Sequence, residues 1–221
     1  MCLTMCTSVH VPATSQRILT HCPQAIRTAA GWGADIISMS FGYAEDVTII
    51  GEALRDAEIL RGNKILFFAA ANNDGLNQPE KFPAFSESVI SVRGTAQNGK
   101  FIRDYNPKNW PHKPGIQYGT LAKDVPCGFF PVKSGCSVAT PILAAIAAVI
   151  IAFVDRDAEF DEWNRDTVRT RRGMRSVLQF MANDQNSKSE RLYIAPWFLF
   201  EYSARPRTLI SYALDRVPRN S

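Results

Sequence analysis

Apolar residues fall into two kinds of run along this chain. Three short stretches are rich in apolar residues, ADIISMS at residues 34–40, KILFFAAA at 64–71 and SVISVR at 88–93, and the second is apolar almost throughout. Runs of that length predict strands covered on both faces. Between the first two, Val47, Ile50, Leu54 and Ala57 recur three or four residues apart, which predicts an amphipathic helix over residues 45–61 ended by Gly62 and Asn63. Residues 24–33 read as the end of a short helix closed by Gly31 and Gly33. Strand, helix, strand order without hairpin signals argues for a parallel sheet with helices on its faces. The most apolar stretch, residues 137–154, predicts a buried helix with Pro141 near its first turn, where a missing N–H costs nothing. Its unbroken apolar run covers residues 141–154, short of the roughly 18 to 20 residues that span a bilayer, so no membrane partner is expected.

The remaining segments are less patterned. Residues 72–85 read as a polar loop, and residues 95–135 as irregular chain with a strand only at 118–125. Beyond residue 154 an acidic stretch precedes Arg165, Arg169, Arg171, Arg172 and Arg175, which are expected to form i, i+4 pairs on a solvated helix. Residues 172–181 resume helical spacing, residues 192–202 are aromatic, and the last twenty carry no firm signal.

Composition narrows the class. The chain has 221 residues, 46% hydrophobic and 21% charged, which suits one globular domain. Lysine and arginine exceed aspartate and glutamate by 25 to 21, too small an excess to point to nucleic acid. The cysteines, Cys2, Cys6, Cys22, Cys127 and Cys136, are odd in number and form no CxxC pair, which suits free thiols in a reducing compartment and not a zinc site. With no apolar run of signal-peptide length at the N-terminus, a cytoplasmic location is expected.

Two spots combine small and polar residues at the end of a buried element. In AAANNDG, Asn73 lies just beyond the carboxyl end of a core strand, where open parallel sheets hold ligands. In SGCSVATP, Ser137 opens the buried helix, where the helix dipole and free N–H groups can hold an oxyanion. Cys136 beside it reads as a small packing side chain.

GCSVATP resembles the nucleophile motif of the subtilisin-like serine endopeptidases, G-T-S-x-A-T-P. AAANNDG resembles that family's oxyanion segment A-A-G-N-x-G, with Asn72 in place of the glycine. ADIISMSFG resembles the strand D-V-I-N-M-S-L-G, and KFPA with SVISV resembles the stretches that follow. The resemblance covers residues 24–154 well and continues to 198, where GMRSVLQFM and YIAPW resemble intracellular fungal members. It implies a three-layer α/β fold with a mostly parallel sheet and helices on both faces. It also implies Ser137 as nucleophile, Asn73 as oxyanion donor, and Ser40, Phe41 and Gly42 as the edge that pairs with a polypeptide substrate. These residues should then gather at one end of the sheet.

The family's aspartate and histidine motifs, D-[ST]-G and H-G-T-H-x-A-G, do not occur, and His10, His21 and His112 match neither. The resemblance therefore implies a peptidase domain over residues 24–198 lacking the N-terminal part of its fold, with residues 1–23 unassigned and 199–221 a tail. The function expected is that of a serine endopeptidase domain carrying half the site and inactive as this chain. The alternative is a non-catalytic pseudoprotease or peptide-binding module. No metal or cofactor is expected.

Overall fold

A computed structural model describes residues 2–3, 16–75, 78–107, 115–128, 130–182, 190–201 and 205–219. The first half runs β1 (Cys2–Leu3), α1 (Gln16–Gly31), β2 (Ile36–Met39), α2 (Thr48–Leu60), β3 (Leu66–Ala70), β4 (Val89–Thr95) and β5 (Gln117–Leu121). The second half runs β6 (Val125–Cys127), β7 (Phe130–Lys133), α3 (Cys136–Arg156), α4 (Glu162–Val168), α5 (Arg171–Ala182), β8 (Arg191–Tyr193), α6 (Trp197–Phe200) and α7 (Pro206–Asp215).

The sheet has the order β1-β2-β3-β4-β5-β8 and every pairing in it is parallel. Because successive strand residues face opposite sides, a run apolar throughout must be covered twice. Ile37, Met39, Phe67, Ala69 and Val89 enter the core under α1 and α2. Ile36, Leu66, Phe68, Ile90, Val92 and Tyr118 enter the core under α3, α4, α5 and α7. The result is the three-layer α/β arrangement, helices over both faces of a parallel sheet. Each fully buried large side chain is worth about 1.5–3 kcal/mol relative to exposure.

Several elements depart from expectation. α1, whose end was expected over residues 24–33, reaches back to Gln16 with Pro23 inside it. α3 has 21 residues and by length and composition alone would cross a membrane, yet it packs along β2, β3, β4 and β5 as the core helix. Pro141 lies in its second turn, five residues after the first helical one, and not near the start. The stretch read as irregular holds β5, where the strand at 118–125 was expected, and also a β6–β7 hairpin; Pro126 and Pro131 hide the hairpin's strand character, and a two-stranded hairpin tolerates them because both strands are edges. Residues 206–215, without a firm signal in sequence, form α7, and Ile210, Ala213 and Leu214 reach the core under α5.

The arginine cluster is corrected most. α4 ends at Val168 and α5 begins at Arg171, so no continuous helix presents i, i+4 pairs across the cluster. Arg169 instead donates to Asp35 (3.2 Å), Asp155 (2.7 Å) and the Arg165 carbonyl (2.7 Å), and Arg61 also donates to Asp35 (3.3 Å). Burial pulls the Arg169 guanidinium down, but the Asp155 and Asp35 carboxylates outweigh it and raise its pKa. This network ties β2's entry to α2, α3 and α4.

Candidate active site

Ser137 is the second residue of α3, and its surroundings follow from how that helix starts. Gly135 precedes the helix at φ 128°, in a region that favours glycine, and a Cβ there would lie 2.9 Å from the Asn73 Oδ1. With the side chain absent, the Asn73 carboxamide reaches the helix end. The Cys136 N–H donates to Asn73 Oδ1 at 2.7 Å, while Asn73 Nδ2 donates to Ser137 Oγ at 3.1 Å. One side chain thus caps the first free N–H of α3 and holds the serine hydroxyl. The next N–H, that of Ser137, has no acceptor among the described residues and points from a helix N-terminus.

Asn73 is aimed by its neighbour. Asn72 is buried, and its Oδ1 accepts from the N–H groups of Asn73 (2.6 Å) and Asp74 (3.2 Å), an Asx turn. Its Nδ2 donates to the Pro79 carbonyl at 2.7 Å, closing the loop that follows β3. The residue standing where the family pattern has glycine is therefore part of the scaffold, and nothing in the sequence signals it except that substitution.

Pro141 has no N–H to give to the Ser137 carbonyl, its helical partner four residues back. Ser40 supplies the missing bond: its Oγ donates to the Ser137 carbonyl at 3.0 Å. Beyond Ser40, Tyr43 and Phe82 exchange two antiparallel backbone bonds, 2.8 and 2.9 Å, and Phe41 rests edge-on to Tyr43. Gly42 is exposed, and among the described residues neither its N–H nor its carbonyl has a backbone partner. A Cβ on Gly42 would fall 2.7 Å from the Lys81 Cβ, so the close approach of these two segments needs glycine. Lys81 in turn pairs with Asp74 at 2.6 Å, next to Asn73.

Behind Ser137, Cys136 is fully buried and its Sγ donates to Asn106 Oδ1 at 3.3 Å. Asn106 also accepts from the Gly94 N–H and donates to the Gly94 and Ile102 carbonyls, so all its polar capacity is used in packing β4 against α3. An isolated asparagine in an irregular stretch gives no sequence signal of this. Burial pushes the Cys136 thiol up to about 11, which keeps it neutral. Cys22, Cys127 and Cys136 are free thiols; Cys6 lies outside the described residues.

The structure thus brings Ser40, Asn73 and Ser137 into one hydrogen-bonded group at the carboxyl ends of β2 and β3, with Phe41 and Gly42 continuing from Ser40. Among the described residues no base is hydrogen-bonded to them. Among the described residues Asn73 is the one partner of the Ser137 hydroxyl; His10 and His112 lie outside those residues, and His21 is on α1. No group of three His, Cys, Asp or Glu among the described residues is arranged to hold a metal ion.

Residues 9–193 match the Subtilase family. The chain is 29% identical over 164 residues to the subtilisin-like protease het-Q2 of Podospora anserina, covering 65% of this chain and 42% of that protein. It is 30% identical over 142 residues to an intracellular serine protease of Paenibacillus polymyxa, covering 62% and 42%. The chain therefore spans less than half the length of these curated relatives. The solved structure of the prenylagaramide maturation protease PagA superposes with a TM-score of 0.61 over 81% of this chain and 66% of that one, at 23% identity, a likeness of fold. On the extent of the family match and the fold that carries it, this chain belongs to the subtilase family, as a subtilisin-like protease domain.

Proposed function

We propose that the chain holds the nucleophile and oxyanion half of a serine endopeptidase site and does not hydrolyse peptides on its own. The observation that carries this reading is the 3.1 Å bond between Asn73 Nδ2 and Ser137 Oγ, joining residues 64 apart in sequence. An extended polypeptide would add along residues 40–42 through the backbone groups of Gly42, by strand addition. Its scissile carbonyl would then stand before Ser137 Oγ, with the Ser137 N–H and Asn73 Nδ2 directed at the oxygen on which negative charge develops. In subtilisin, loss of an oxyanion asparagine costs roughly two to three powers of ten in rate. Chemistry also needs an acceptor for the hydroxyl proton, since serine is a weak nucleophile at neutral pH. The described residues supply none at hydrogen-bond distance, which supports binding without turnover.

The free thiols, together with likeness to an intracellular serine protease, support a cytoplasmic location. The test is labelling by a fluorophosphonate probe beside binding of an extended peptide. The purified chain is expected to bind the peptide and to label no more than Ser137→Ala. Stoichiometric labelling that disappears in Ser137→Ala would overturn the inactivity, and failure to bind any extended peptide would overturn the role of residues 40–42.

A further inference from the structure

A cavity of about 910 Å³ lies apart from the serine site: none of Ser40, Asn73 and Ser137 lines it. It is bounded by β4 and residues 79–91 on one side, by the start of β5, and by the first turns of α5. Three arginines, Arg93, Arg171 and Arg175, line it against two glutamates, Glu80 and Glu87. One glutamate is already committed: Glu80 accepts from Arg93 Nη1 at 3.2 Å and from the Ser91 hydroxyl. Arg93 is 5% exposed, and its Nε is buried with no acceptor among the described residues. Arg171 Nε is likewise buried without one. Arg175 donates through Nε to Tyr118 OH at 3.2 Å and its guanidinium lies 5.9 Å from the centre of the Tyr118 ring, while its terminal nitrogens have no hydrogen-bond acceptor among the described residues.

The N–H groups of three arginines therefore outnumber the acceptors around this space, the carboxylates of Glu80 and Glu87 and the buried Gln117 Oε1. Arg171 and Arg175 are i, i+4 neighbours on α5, so their like charges oppose each other where water is partly excluded. Burial first, and then the charge of Arg175, lower the Arg171 pKa, against the weaker pull of Tyr118, Glu87 and Glu58. An anion seated between the two guanidinium groups relieves that repulsion and supplies the missing acceptors. Phe85 and Ile116, both partly exposed, give the wall apolar surface for an aliphatic or aromatic body.

We propose that this cavity is a binding site for a small organic acid, its carboxylate or phosphate held between Arg171 and Arg175 and its apolar body on Phe85 and Ile116, with Ile90 behind them. The site is independent of the peptidase reading, because no residue is shared. The test is calorimetric titration of the full chain with 2-naphthoate and 2-naphthyl phosphate, beside the neutral 2-naphthalenemethanol. At least one anion is expected to bind about tenfold more tightly than the alcohol. Arg171→Gln and Arg175→Gln should each weaken that binding about tenfold, whereas Arg156→Gln, outside the cavity, and Ser137→Ala should leave it unchanged. Should the variants fail to fold, magnetisation transfer from the naphthyl protons to the Ile90 and Ile116 methyl groups of the unaltered chain reads the same site. Equal binding of acid and alcohol, no binding of either anion, indifference to both arginine variants, or transfer to other methyl groups would overturn the proposal.

Discussion

Ser40 and Pro141 stand on different elements and settle one hydrogen bond between them. Pro141 withholds an N–H from the Ser137 carbonyl, and the Ser40 hydroxyl replaces it from the end of β2. Ser40→Ala is expected to lower stability by about 1 kcal/mol, read from the midpoint of urea unfolding at unchanged slope. Cys136 carries a second expectation. Burial raises its thiol from 9.0 to about 11, so the folded state favours the neutral form. The stabilisation is complete below the unfolded value and drains away as pH climbs from 9 to 11, by about 2–3 kcal/mol in total. Unfolding free energies of the chain and of Cys136→Ala, compared between pH 8 and 11, should converge as pH rises. Asn73 and Ser137 were readable as candidates because their types sit at the ends of apolar runs. Asn72 and Asn106 were not, since a buried asparagine is defined by the carbonyls folded around it and those come from distant stretches.

The strands β2, β3 and β4 were legible as short apolar-rich runs, and β3 most of all, since a run apolar almost throughout asks for a doubly covered sheet. What sequence hid were elements whose signals cancel. Pro126 and Pro131 mask the β6–β7 hairpin. The arginines misled for another reason: spacing describes one helix, and here two short helices meet. Their junction makes a sharp demand. A Cβ on Gly173 of α5 would lie 1.9 Å from the Thr167 carbonyl oxygen of α4, so Gly173→Ala must push the helices apart. Thermal unfolding should show a loss of about 1–3 kcal/mol or more. Gly31→Ala, at the end of α1 with nothing within 4 Å of the new carbon, should be neutral or slightly stabilising.

For the molecule as a whole, the core helix is the exposed point. α3 buries one side against four strands, yet Ala145, Val149 and Ala152 lie on its open side, spaced as one stripe. Val149 is 51% exposed. The serine site is assembled from stretches around residues 40, 73 and 137, none of which holds the others locally. That gives the Cys136 amide an unusual meaning. A first-turn N–H normally exchanges its hydrogen with water freely, but this one is bonded to a side chain 63 residues away. Its exchange in deuterium oxide therefore clocks the separation of the Asn73 loop from α3 and not the fraying of a helix, a single-atom readout of whether the site is assembled, obtained without any substrate.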